Sequence, residues 1–151
     1  MPIITETDVK REGGSGAIGT YEALLFSDSG GLTQFGAFVE ILQAGARSSV
    51  KHWHRIEDEM VYMLAGEAIL HEGETEHILR PGDAATFRAG DPAGHCLENR
   101  SVGPVRYLVI GTRSGGDTVT YPDDNRVLDM RRDGITRHWT DLDGHPADPL
   151  P

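Results

Sequence analysis

Gly45-Ala-Arg-Ser-Ser-Val-Lys-His52-Trp-His54-Arg-Ile-Glu-Asp-Glu59-Met-Val-Tyr-Met-Leu-Ala-Gly66 brings two imidazoles and a carboxylate close together in sequence. Side chains alternate along a strand, so His52 and His54 project to one side and Trp53 to the other. Two imidazoles on one face form a two-tooth metal clamp. The chain then turns through Arg55-Ile-Glu-Asp, and Glu59 opens the apolar run Met60–Leu64 on the face it shares with Val61 and Met63. A third histidine, His95, lies downstream in Gly90-Asp-Pro-Ala-Gly-His95-Cys-Leu-Glu-Asn99. Glu57 has the same parity as Glu59 in an extended segment and is its rival as the carboxylate ligand; the spacing favours Glu59.

Outward from this stretch the chain reads as short strands separated by turns. Residues 1–20 form a polar, glycine-rich arm without periodicity, expected to be a flexible lead-in. Tyr21–Phe26 is a strand candidate closed by Ser-Asp-Ser-Gly-Gly31. In Gln34–Leu42, Phe35, Ala37, Val39 and Ile41 share one face and Glu40 lies on the other, as in a half-buried strand. Residues 67–71 and 76–79 flank Glu72-Gly-Glu-Thr75 as a hairpin, and Arg80-Pro-Gly-Asp83 is a tight turn. Val105–Thr112 is the most apolar strand candidate. Asn125–Arg132 alone in the tail has room for a helical turn or two. The tail has too few apolar residues for a core of its own, so one domain is expected. The organisation is an arm at 1–20, a barrel or sandwich at 21–122, and a tail at 123–151 that packs on the barrel or on a partner subunit.

These residues resemble the cupin family, small barrels with a metal in the mouth. The family's first motif, Gly, a short spacer, His-x-His, three or four residues, Glu, six residues, Gly, is met by Gly45, His52, His54, Glu59 and Gly66, with one extra residue in the first spacer. Its second motif is met by Gly82, Gly90, His95 and Asn99; Arg88 stands where proline is usual, and four residues rather than two separate Gly90 from His95. The likeness spans about residues 32–113. It implies an all-β fold, a single-domain cupin jelly-roll β-barrel with an irregular N-terminal arm and C-terminal tail. It also implies one divalent metal ion per chain, held by His52, His54, Glu59 and His95, and a homodimer.

A ligand set of three imidazoles and one carboxylate has no thiolate, and accepts iron, manganese, zinc, nickel, copper or cobalt. The hard oxygen favours iron or manganese. Four protein ligands on an octahedral ion leave two positions for water, substrate or dioxygen, which marks a reactive site. Arg47, Trp53, Tyr62, Arg88 and Tyr107 are candidates for contacts around it. His71, His77, His138 and His145 read as histidines satisfied by local hydrogen bonds.

Composition limits the partners. The net charge of −10, from 24 acidic and 14 basic residues, argues against nucleic acid and against an anionic membrane surface. The single cysteine, Cys96, permits no internal disulfide, and alternation turns it away from His95. The N-terminus lacks the basic head and apolar stretch of a signal peptide, and no apolar run reaches membrane-spanning length, so a cytoplasmic protein is expected. No serine–histidine–aspartate order, phosphate-cradling glycine loop or dinucleotide fingerprint is present. The functional expectation is a metal-dependent enzyme acting on a small polar substrate inside the barrel, with a dioxygenase-type oxidoreductase placed first. The alternatives are a redox-neutral sugar or sugar-phosphate isomerase, a lyase or decarboxylase, and a non-catalytic small-molecule binding protein.

Overall fold

The computed structural model describes residues 3–151. Its strands are β1 (Arg11–Gly16), β2 (Gly19–Leu24), β3 (Phe35–Leu42), β4 (Trp53–His54), β5 (Glu59–Ala65), β6 (Ala68–Glu72), β7 (Thr75–Leu79), β8 (Ala84–Phe87), β9 (His95–Glu98), β10 (Val105–Thr112), β11 (Gly116–Tyr121), β12 (Arg126–Arg131) and β13 (Thr136–Thr140), with a short α-helix, α1 (Phe26–Ser29), and a 3-10 turn at Pro122–Asp124. They form a six-stranded sheet ordered β1-β2-β3-β10-β5-β8, a four-stranded sheet ordered β13-β12-β11-β4 and a three-stranded sheet ordered β7-β6-β9. All pairings are antiparallel. This is the all-β jelly roll that the motif spacing anticipates. Among the described residues no helix is long and apolar enough to cross a membrane.

Strand β10 organises the large sheet. Its Val109 stands opposite Phe38 of β3 on one side and Val61 of β5 on the other. Val105, Tyr107 and Val109 point inward by alternation and join Leu42, Val61, Met63, Phe87, Leu70, Leu79 and Leu97 in one core cluster. That cluster takes residues from the large sheet and from β6, β7 and β9, so burial of these side chains holds the two sheets face to face. The β6–β7 hairpin forms as expected, with Glu72 opposite Thr75. Gly66 closes β5 with φ +79°, and a Cβ there would lie 2.8 Å from Val105 Cγ1, so both backbone and packing require glycine at the last position of the first motif.

Three local expectations change. The glycine-rich arm contains β1, which pairs along its length with β2 from Arg11 opposite Leu24 to Gly16 opposite Gly19. Its exposed, glycine-interrupted sequence carries no alternation, so the pairing comes from the neighbouring edge and not from a hydrophobic pattern. Just before β1, Val9 packs with Leu24, Val39 and Ile41 on the outer face of the large sheet. The helical turn expected in 125–132 is strand β12, paired with β11 (Leu128 opposite Val119) and β13. Tertiary pairing overrides local propensity here, because Asn125 takes φ 52° and turns the chain back antiparallel to β11. The turn after Tyr21–Phe26 begins with α1, not with a plain reverse turn.

Candidate metal centre

His52 precedes the two-residue strand β4, which pairs with β11, and His52 itself exchanges both backbone hydrogen bonds with His95 (3.2 and 2.9 Å). That bridge joins the two distant motif segments directly. The ring centroids of His52 lie 5.1 Å from His54 and 4.9 Å from His95. Glu59, first residue of β5, reaches between the other two rings: Oε2 is 3.5 Å from His54 Nε2 and Oε1 is 3.6 Å from His95 Nε2. His52, His54 and Glu59 each offer a ligand atom within 4.8 Å of the others. The four side chains read from the sequence therefore converge.

The ring nitrogens are sorted by their outer partners. His54 Nδ1 donates to Asp117 Oδ2 at 2.7 Å, and His52 Nδ1 donates to the Val50 carbonyl at 3.1 Å with Ser49 Oγ at 3.0 Å, so Nε2 of each ring is left to ligate. His95 is 2 % exposed and stacks on Phe87 with centroids 3.5 Å apart. Its Nε2 is buried without a hydrogen-bond partner among the described residues. Leaving such a nitrogen unpaired costs roughly 1–3 kcal/mol, which a ligated cation would relieve. The donor set and this orphaned nitrogen fit a divalent ion.

Glu57 also lines the cavity beside these residues and has an oxygen within 4.8 Å of ligand atoms of His54 and Asp117, but its carboxylate is held by a cation. It pairs with Arg132 from the β12–β13 turn and accepts from Ser114 N at 2.9 Å. Parity alone left Glu57 and Glu59 equal; the cation from the tail separates them. Asp117, which the sequence reading did not single out, is 1 % exposed and accepts from Ile56 N (2.9 Å) and Thr118 N (2.8 Å) besides His54. Its only sequence signal is an acidic residue that follows Gly116 and precedes the β-forming run Thr118-Val-Thr-Tyr121. Of the other candidates, Tyr107 faces the interior, Arg47 pairs with Glu98 at 3.3 Å and does not line the cavity, and Tyr62 is exposed. His71 meets Glu98 at 2.7 Å, His77 meets Thr75 and His145 meets Asp141, as expected of them, whereas His138 is exposed and has no side-chain hydrogen bond among the described residues. Cys96 is buried and does not line the cavity that His95 and Leu97 line.

The cluster opens on a cavity of about 280 Å³ inside the barrel, lined by Phe38, Val61, Leu97 and Val109 with Glu40, Ser48 and Tyr107 as further polar groups. Glu40 has the parity read from the sequence, but both faces of β3 are covered: Val39 and Ile41 lie under the N-terminal segment, while Glu40 is buried on the cavity side. Its Oε1 accepts from the Tyr107 hydroxyl.

In the metal-free state burial opposes charge on every one of these groups. For His52, burial and the neighbouring His95 push the pKa down to about 4. For His54, burial is outweighed by Glu59 and Asp117, and the pKa rises to about 9. Glu59 is held well below the ordinary carboxylate range, because His54 and His95 outweigh its own burial. Glu40 is raised to about 7 by burial, against the Tyr107 hydrogen bond. Stability contributed by His54 is complete below its unfolded value of 6.5 and is lost as pH rises through about 9; Glu40 adds to that loss as pH rises through about 7. His52 acts oppositely, since the unfolded chain takes up its proton first as pH falls below 6.5 toward about 4. Since His52 and Glu40 offset each other between about pH 4.5 and 6.5, and the contribution of Glu59 is lost only as pH falls below about 4.5, the metal-stripped protein is expected to melt highest in slightly acid solution and lower at about pH 3 and about pH 9. A melting temperature flat across that range would contradict the assignment.

Residues 38–111 match the family model described as Cupin domain. A solved sugar phosphate isomerase from Silicibacter pomeroyi is 34% identical, with 97% of each chain covered and a TM-score of 0.88. The chain belongs to the cupin superfamily. A proposed sugar phosphate isomerase from Acidithiobacillus ferrooxidans superposes with a TM-score of 0.84 at 25% identity, covering 98% of this cupin and 97% of that chain. A predicted oxalate decarboxylase from Thermotoga maritima shares the fold, at 20% identity and TM-score 0.62 over 74% of this chain and 99% of its own. No curated protein matches the sequence. Both isomerase-named relatives extend over the N-terminal strands and the C-terminal hairpin, which the family model leaves out.

Proposed function

We propose that this cupin is a divalent-metal-dependent isomerase that interconverts the aldose and ketose forms of a small sugar phosphate. The reading is carried by the orphaned Nε2 of His95, which converges with His52, His54 and Glu59 at a cavity large enough for such a molecule. The near-full-length likeness to a protein named sugar phosphate isomerase supports the reaction class and moves the weight away from the dioxygenase placed first on sequence. Isomerisation is redox-neutral and requires no dioxygen.

In this reading the four residues hold iron or manganese, and the bound ion supplies Lewis-acid polarisation of the sugar's carbonyl oxygen. The protein's own residues do the rest. Asp117 fixes the His54 ring through Nδ1, so His54 presents one nitrogen in one orientation. Phe38, Val61, Leu97 and Val109 exclude water from the reacting carbons. Arg113 and Arg132 lie on the cavity lining, where the guanidinium fork suits a phosphate group.

The test is conversion itself. Protein reconstituted with iron or with manganese is incubated anaerobically with a panel of aldose phosphates, and the products are followed by NMR. Ketose phosphate formed in proportion to bound metal supports the proposal. Dioxygen consumption without isomerisation would restore the oxygenase reading, and tight sugar-phosphate binding without conversion would favour a binding protein.

A further inference from the structure

The cavity holds three carboxylates, and two of them have cationic or imidazole partners. Glu57 is tied to Arg132, and Glu59 lies between His54 and His95. Glu40, on the neighbouring strand β3, has no cation paired with it among the described residues; its contact is the Tyr107 hydroxyl, and β3 and β10 place Glu40 and Tyr107 opposite each other. Glu40 is 9 % exposed and Tyr107 1 %, and both line the same cavity as His52, Glu59 and His95. A buried carboxylate without a counter-charge is costly to keep for structure alone, since an apolar side chain would fill the place more favourably.

We infer that Glu40 is the proton-transfer residue of the isomerisation, with Tyr107 as the positioning residue that holds its carboxylate toward the substrate carbons. The inference rests on the isomerase reading above and adds the route of the proton. The Glu40 carboxylate takes the proton from C2 of the aldose, and the C–H electron pair becomes the C1=C2 bond of an enediolate as the carbonyl electrons move onto O1. Glu40 then returns the proton to C1, the hydroxyl proton passes from O2 to O1, and the C2=O2 carbonyl forms. One hydrogen has moved from C2 to C1 and one from O2 to O1, with no net redox change. Burial and nearby Glu59 and Glu12 raise the Glu40 pKa to about 7, where a base is best matched to neutral solution. Because the proton rests on a carboxylate between the two steps, some of it exchanges with solvent.

The experiment runs the metal-loaded enzyme in D₂O and measures both conversion and deuterium at C1 of the ketose. Wild type is expected to incorporate deuterium. Glu40→Gln is expected to keep its metal and to lose conversion and exchange together by about 10²–10⁴-fold, the usual contribution of a positioned base. Should Glu40→Gln fail to fold, Glu40→Asp serves instead, with conversion reduced and exchange retained. Tyr107→Phe is expected to lower kcat with KM unchanged. Conversion by either Glu40 variant at the wild-type rate overturns the inference. Wild-type conversion without any deuterium overturns it as well, because it indicates a direct hydride shift, and leaves the isomerase reading standing. Absence of conversion in wild type removes both.

Discussion

Replacing His95 with alanine is expected to strip the protein of its metal while the barrel stays folded. The Nε2 atom of His95 is buried and has no hydrogen-bond partner among the described residues, so the variant loses none there. It loses a nitrogen 3.6 Å from Glu59 and the stacking on Phe87. Phe87 belongs to the core cluster and loses that stacking, but Leu42, Val61, Met63, Leu70, Val105 and Val109 of the same cluster remain to hold the barrel. Removing an outer partner of a ligand typically costs about 10–100-fold in metal affinity, and removing a ligand itself costs more. Elemental analysis after reconstitution, with a circular dichroism melt on the same sample, reads both halves. Stoichiometric metal held with wild-type affinity would show that His95 is not a ligand. Unfolding would show that the ring carries structure instead.

Asp117→Ala is expected to do the reverse and damage both metal binding and fold. This carboxylate accepts from His54 Nδ1, Ile56 N and Thr118 N in a fully buried position. Alanine leaves three donors without an acceptor and frees the His54 ring to turn. Breaking a buried polar cluster on one side costs on the order of 3 kcal/mol, or about 10 °C in melting temperature for a chain of this length. Metal affinity is expected to fall about 10–100-fold, less than for loss of a ligand. Asp117→Asn keeps one oxygen acceptor and should recover part of the stability without the affinity. Wild-type melting and metal binding in Asp117→Ala would remove Asp117 from the site.

Three of the four candidate ligands were legible because they are written locally, and His95 joined them only through the resemblance to the second cupin motif. His-x-His fixes two side chains on one strand face, and Glu59 follows the alternation of Val61 and Met63 within β5. The apolar strand at 105–112 and the hairpin at 67–79 were legible for the same reason, since period-two alternation and turn residues are properties of short segments. Strand β1 left no such trace, because its glycines have no side chains to alternate. Strand β12 was misread as a helical turn because its Val127, Leu128 and Met130 carry no strict alternation, and only β11 and β13 on either side settle its conformation.

Sequence by itself determined a chain of short strands and turns with a strongly acidic balance, and its resemblance to the cupin motifs implied the jelly roll and the convergence of His95 with His52, His54 and Glu59. These follow from side-chain periodicity, motif spacing and composition, which act over a few residues at a time. Tertiary structure decided what each polar side chain faces. Motif spacing favours Glu59 over Glu57 as the carboxylate ligand, and Arg132, arriving from the tail to pair with Glu57, adds a reason that no local pattern carries. Asp117 became part of the site only when β11 paired with β4 and brought it against His54. Glu40 became a cavity residue only when the N-terminal segment covered the opposite face of β3 and Tyr107 came to lie across from it. Burial and electrostatic partnership are set by segments far apart in the chain, and no local pattern encodes them.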